Sequence, residues 1–124
     1  MLADATLVAF IATTDLERAR DFYGGVLGLT HMETTEFAAV FNANGTTLRI
    51  TRVDRVTPAP YTVLGWVVAD LDRALDSLKR HGVDTLSYEG LDQDGRGVWT
   101  APGGGRIAWF ADSDSNTLSI TQLV

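Results

Sequence analysis

The sequence predicts an α+β fold of two tandem βαβββ modules, and three observations carry that reading. The stretch Asp15-Leu16-Glu17-Arg18-Ala19-Arg20-Asp21 returns as Asp70-Leu71-Asp72-Arg73-Ala74-Leu75-Asp76. Each copy follows an apolar run, Leu7–Ala12 and Val63–Val68, so what repeats is a strand entering a helix. Thr47-Leu48-Arg49-Ile50-Thr51 then reappears as Thr117-Leu118-Ser119-Ile120-Thr121. Such self-similarity marks a duplicated unit of roughly 55 to 65 residues. Module one covers about residues 5–53, a linker 54–60, and module two about 61–124 of a single domain.

In the first module, Leu7–Ala12 is a short run with β-branched and aromatic residues, the mark of a largely buried strand. Asp15 caps a helix whose apolar face carries Leu16, Ala19, Phe22, Tyr23 and Val26, and Gly28 ends it. Leu29–Thr35 and Phe37–Asn42 read as strands, Asn44-Gly45 as a hairpin turn, and Thr46–Val53 as the returning strand. Asp54–Pro60 holds two of the prolines and no periodic pattern.

The second module opens with a strand at Tyr61–Val68 and a helix capped by Asp70, with Leu71, Ala74, Leu75 and Leu78 inward and Gly82 as its stop. Val83–Tyr88 reads as a strand and Glu89–Gly97 as an exposed polar loop. Val98–Ala101 is briefly extended, followed by Pro102-Gly103-Gly104-Gly105. No helix start or lysine follows those glycines, so they read as a turn and not as a phosphate cradle. Arg106–Ala111 and Thr117–Leu123 are strands about the turn Asp112–Asn116.

Composition narrows the function classes. The 124 residues are 45% hydrophobic and 21% charged, enough to bury a core without covalent staples. With no cysteine, thiolate metal sites, disulfides and cysteine nucleophiles are all excluded. A net charge of −6, with ten Lys and Arg spread singly, argues against nucleic-acid and anionic-membrane partners. The N-terminus lacks the pattern of a signal peptide and no apolar run is long enough to span a bilayer, so a soluble, cytoplasmic protein is expected.

The stretch Asp15 to Leu29, with Asp-Leu-x-x-Ala-x-x-Phe-Tyr and Leu27-Gly28-Leu29, resembles the vicinal oxygen chelate superfamily of glyoxalases, bleomycin- and fosfomycin-resistance proteins and extradiol dioxygenases. The turn Asp112-Ser113-Asp114-Ser115-Asn116 is similar to that family's Asp-Pro-Asp-Gly-Asn, and Trp109-Phe110 with Asn116–Ile120 looks like its glyoxalase-like members of unassigned function. The resemblance implies curved mixed sheets forming a cup, with helices outside and a ligand cavity inside.

In the family's metalloenzymes four side chains, usually His or Gln, Glu, His and Glu, hold a divalent ion. The matching positions here are Val8, Arg49, Val63 and Ser119, of which only the serine offers even a weak donor. Arg49 would oppose a cation, since two unit charges at about 4 Å repel by about 4 kcal/mol at an effective dielectric near 20, and a divalent ion doubles this. The two histidines, His31 and His81, have no second ligand at suitable spacing and read as structural. No metal or other cofactor is therefore expected.

Strand alternation and the resemblance together assign a ligand pocket to Val8, Phe10, Thr47, Arg49, Val63, Trp99, Ile107, Trp109, Ser119 and Thr121. Tyr88 and Trp99 flank the Glu89–Gly97 loop, which either forms a lid or is simply anchored by the tryptophan. Arg49 either pairs within the chain, lies at the rim, or meets a ligand carboxylate, phosphate or enolate.

The leading expectation is a metal-independent small-molecule binding protein, of sequestration or resistance type, acting as a homodimer. The alternative is a lyase, isomerase or dioxygenase-like enzyme in which Arg49 stabilises an anionic intermediate or a non-standard metal site operates, with Glu36, Glu89 or Asp92 reaching in from loops. A sensor module with a vestigial cavity is the third reading. No catalytic residue is assigned.

Overall fold

Both copies of the repeated motif cap a helix in the same way. Asp15 and Asp70 are extended, with φ of −146° and −138°, and each carboxylate accepts a hydrogen bond from the backbone N–H three residues on, Arg18 or Arg73, at 3.1 Å. The extended cap residue aims its oxygen at donors that the first turn leaves unpaired. The computed structural model describes residues 1–124 and divides into two compact units, Met1–Thr57 and Pro58–Val124.

In the first unit β1 (Val8–Thr13) leads into α1 (Leu16–Arg20), which continues as a π-helical segment, Asp21–Val26. The wider turn is closed by the Leu27 N–H donating to the Phe22 carbonyl at 2.9 Å. It carries Phe22 and Tyr23, adjacent in sequence, both into the core, their rings edge to face at 5.3 Å. Position 24 is tightly packed: a Cβ there would sit 3.3 Å from the Phe41 ring, which would have to give by a few tenths of an ångström.

Strands β2 (Thr30–Thr34), β3 (Ala38–Ala43) and β4 (Thr46–Arg52) complete a sheet of order β1-β4-β3-β2, in which β1 and β4 are parallel and the other pairs antiparallel. Asn44 and Gly45, at φ of 50° and 93°, make the β3–β4 turn that the sequence predicts. The helical side of the sheet buries Ile11, Thr13, Ala39, Phe41, Leu48 and Ile50. β2 is an edge strand exposed at all five residues, which is why its sequence shows no clean alternation.

The second unit places β5 (Leu64–Val67), α2 (Leu71–Arg80), β6 (Trp99–Thr100), β7 (Arg106–Ala111) and β8 (Thr117–Gln122) in a sheet of order β5-β8-β7-β6. α2 buries Leu71, Leu75 and Leu78, with Ala74 half-buried, and Gly82 follows it at φ 76°. Its start is further tied to β8, since Gln122 Oε1 accepts from the Leu71 N–H at 2.8 Å. The helical side of this sheet holds Ala108, Phe110, Leu118 and Ile120. Residues 101–105 form the tight turn expected of them, closed by Ala101 N–H to the Gly105 carbonyl at 2.7 Å.

One expected element is absent as such. Val83–Tyr88 is not a strand: only Thr85 bridges Phe110, and the Leu86 N–H donates to the Trp109 carbonyl at 2.8 Å. The chain then leaves the β7 edge for residues 87–98 and returns to it as β6. The physical reason is competition for backbone groups. The Leu86 carbonyl and the Tyr88 N–H, which would have extended a ladder, are taken by the Gln93 side chain at 2.9 and 2.7 Å. The α+β architecture of two βαβββ modules stands, with β6 supplying the second module's edge strand. No helix is long and apolar enough to cross a membrane.

Candidate functional site

Each sheet has one face packed on its helical layer and one face turned away from it, and the predicted site residues fall on the latter. In the first module, the β1–β4 register pairs Val8 with Thr47 and Phe10 with Arg49, bringing those four together. Phe10 is 61% exposed, an unusual setting for a phenyl ring unless something covers it. Arg49 is half-buried and forms no ion pair.

A residue that sequence reasoning passed over joins this row. Arg49 pairs with Val40, and Val40 pairs with Glu33, because a bulge between His31 and Glu33 shifts the β2 register at Met32. In an unbulged ladder Glu33 would oppose Ala39 and point to the helical side; the extra residue turns it to the open side. The open row therefore reads Phe10, Arg49, Val40, Glu33. Nothing in the sequence pattern announces a one-residue bulge in a fully exposed edge strand.

In the second module, the register aligns Gly65, Ser119 and Trp109 in one row and Val67, Thr121, Ile107 and Trp99 in the next. Val63 lies just before β5, its N–H donating to the Thr117 carbonyl at 3.0 Å. The predicted residues Val63, Trp99, Ile107, Trp109, Ser119 and Thr121 thus share one face. Gly65 leaves room for the Ser119 hydroxyl, which a Cβ at that position would force to rotate away. Trp109 is held at both ends of its ring system: its Nε1–H donates to Thr62 Oγ1 at 3.1 Å, and the Tyr88 ring meets it edge-on at 5.4 Å.

The 87–98 loop behind Tyr88 is densely braced. Gln93 Nε2 donates to the Leu86 and Gly97 carbonyls at 2.9 and 2.8 Å, and Asp94 Oδ1 accepts from the Arg96 and Val98 N–H groups at 2.9 and 3.0 Å. Gly97, at φ 82°, has no room for a Cβ against Thr85. On its outer side Arg96 pairs with Asp76 at 2.8 Å and Asp72 at 3.6 Å, and Asp72 also pairs with Arg106, whose guanidinium is held above its ordinary pKa by that carboxylate. These are exposed pairs, of small individual worth.

The Val98 and Arg96 amides hold the Asp94 carboxyl below its usual range, since both hydrogen bonds favour the ionised form. A carboxyl whose folded pKa lies below its unfolded value, about 3.9, contributes fully above that value and loses the contribution as pH falls through the folded one. The Arg96 and Val98 amide resonances are therefore expected to stay constant from neutral pH to about 5 and to move only below about 4. An inflection at or above the ordinary aspartate value would show that these bonds do not hold the carboxylate.

The four positions where a divalent ion would be ligated do not fit one. Val8 and Val63 have no donor, Arg49 is a cation, and no group of three His, Asp or Glu side chains comes together anywhere in the structure. His31 is engaged by Thr34 Oγ1 at 2.7 Å and packs on Phe41 at 5.3 Å, and His81 Nδ1 lies 2.8 Å from the Ser77 carbonyl at the end of α2.

The family model described as the Glyoxalase/Bleomycin resistance protein/Dioxygenase superfamily matches residues 5–120. The chain belongs to this superfamily. Among solved structures, a superfamily member from Sphaerobacter thermophilus is 22% identical with a TM-score of 0.76, covering 99% of this chain and 100% of that one. TnmS3, an antibiotic binding protein from Streptomyces sp. CB03234, is 20% identical with a TM-score of 0.73, covering 100% and 99%. The fosfomycin resistance protein FosX from Listeria monocytogenes is 15% identical with a TM-score of 0.76, covering 98% and 94%. No curated protein matches the chain. At these identities the likeness establishes the superfamily fold, on which both binding proteins and enzymes are built.

Proposed function

We propose that this superfamily member is a metal-independent small-molecule binding protein of sequestration or resistance type. Its ligand contacts are Val8, Phe10, Thr47 and Arg49 on the first module's open face, and Val63, Trp99, Ile107, Trp109, Ser119 and Thr121 on the second's. The observation that carries the reading is that these faces present aromatic rings and hydroxyls, while the positions where metal-dependent members place ligands hold two valines, a serine and the unpaired Arg49 guanidinium. Apolar and aromatic surface with few polar groups is the usual composition of such a site. An antibiotic-binding protein with this fold is consistent with it. The proposed assembly is a homodimer in the cytoplasm, to be checked by light scattering.

The Phe10-Arg49-Val40-Glu33 row supports a second reading, an enzyme in which Glu33 removes a proton and Arg49 stabilises the resulting anion. Turnover abolished by Glu33→Gln with binding retained would select it.

The test is a thermal-shift screen of metabolites and antibiotics, run with chelator and in parallel with Mn²⁺, Ni²⁺, Zn²⁺ or Fe²⁺. A ligand at about 100 times its Kd adds about 2.7 kcal/mol and raises Tm by several degrees. Stabilisation in chelator, weakened by Arg49→Met for anionic compounds, is the expected result. Stabilisation that requires a metal overturns the proposal.

A further inference from the structure

We infer that Gln93 is a positioning residue for ligand recognition. Its side chain holds Tyr88 directly and the segment entering Trp99 through the Gly97 carbonyl, so that these rings and Trp109 form an aromatic surface that selects a planar aromatic ligand. The inference rests on the reading of the second module's open face as a binding surface, and adds the ligand class and the residue that sets the geometry.

The edge of this sheet is filled by two separate pieces of chain, Thr85-Leu86 and Trp99-Thr100, with residues 87–98 leaving and returning between them. Gln93 closes the neck of that excursion. Its one amide group bonds the Leu86 carbonyl on the outgoing side, the Gly97 carbonyl on the returning side and the Tyr88 N–H, at 2.9, 2.8 and 2.7 Å. Its backbone also bridges Trp99. Tyr88 is thus tied through its N–H to the Gln93 side chain, and Trp99 through the Gln93 backbone and through the side-chain bond to the Gly97 carbonyl two residues before it.

The consequence for the open face follows from register. Trp99 opposes Ile107 and so shares its side of the sheet with Trp109, while Tyr88 meets the Trp109 ring at 88° and 5.4 Å. An edge-on tyrosine and the Thr62 hydroxyl together fix the plane of the indole. A fixed aromatic surface favours flat rings that can lie against it over flexible aliphatic chains, because little ordering remains to be done on binding. The ion pairs of Arg96 hold the outer side of the loop but lie away from these rings on the chain and are exposed, so they do not substitute for Gln93.

The experiment uses the full chain labelled with 5-fluorotryptophan, and naphthalene-2-sulfonate as the planar aromatic probe. Gln93→Met keeps length and volume and removes all three side-chain bonds. It is expected to shift or broaden the ¹⁹F signals of Trp99 and Trp109, leave Trp66 unchanged, and weaken probe binding about five-fold. Tm should fall by no more than about 3 °C. In a Tyr88→Ala background Gln93→Met should cost no further affinity, a coupling that general destabilisation would not produce. Additive losses, or unchanged signals and affinity in Gln93→Met, overturn the role of Gln93. Failure of the wild-type chain to bind the probe or any planar aromatic compound overturns the binding reading itself.

Discussion

Phe41→Ala is expected to destabilise the protein by about 3–5 kcal/mol, the range for truncating a buried aromatic ring, and so to remove a large share of a net stability of about 5–15 kcal/mol. Phe41 is 0% exposed, and three residues from two other elements meet at its ring: Tyr23, at 6.4 Å, and Gly24 of the π-helical segment, and His31 of β2 at 5.3 Å. None of them can follow a shrinking side chain without moving backbone, so a cavity remains and its cost adds to the lost burial. Urea denaturation followed by circular dichroism should show the midpoint falling by about 2 M with an unchanged slope. A shift below about 0.5 M would mean that the sheet collapses onto the helix without this ring.

The second large effect is expected at the turn before β8. Asp112, 7% exposed, accepts from the Asp114 and Asn116 N–H groups and from Asn116 Nδ2, each at 2.9 Å. Asp112→Ala leaves these donors without that acceptor in a buried turn, and about 2–3 kcal/mol should be lost. Two neighbours should behave oppositely. Ser113 Oγ is buried with no partner, so Ser113→Ala is expected to be neutral or stabilising by up to about 1 kcal/mol. Ser115 sits at φ 66°, where glycine is at ease, so Ser115→Gly should also gain up to about 1 kcal/mol. Thermal unfolding of the three variants checks the set, and a destabilised Ser115→Gly would overturn the account of the turn.

Ser115→Gly moves this turn toward the Asp-Pro-Asp-Gly-Asn pattern that it resembles, with Asp112 and Asn116 kept as its hydrogen-bonded frame. Neither Phe41 nor the 112–116 turn includes a residue proposed to touch ligand, so these variants report on stability apart from the thermal-shift and probe-binding tests of recognition.

What the sequence determined by itself is local and periodic. The duplicated Asp-Leu motif specified two capped helices, because a cap needs only a short side chain and the N–H groups three residues on. Asn44-Gly45 specified a hairpin through the φ values those residues tolerate. Alternation was enough to place Phe10 with Val8, Thr47 with Arg49, and Thr121 with Ser119, since strand side chains repeat every second residue, and the family resemblance added Ile107 and Trp109.

Tertiary structure decided what depends on partners distant in sequence. It split the edge of the second sheet, where the Gln93 amide took the backbone groups that Val83–Tyr88 would have offered to a ladder. It placed the bulge at Met32 that turns Glu33 toward Arg49. It widened the end of the first helix so that Phe22 and Tyr23 could both reach Phe41's core. Each of these is a contest between two ways of satisfying the same hydrogen bonds or filling the same volume. Such contests are settled by what packs alongside, which local pattern does not contain.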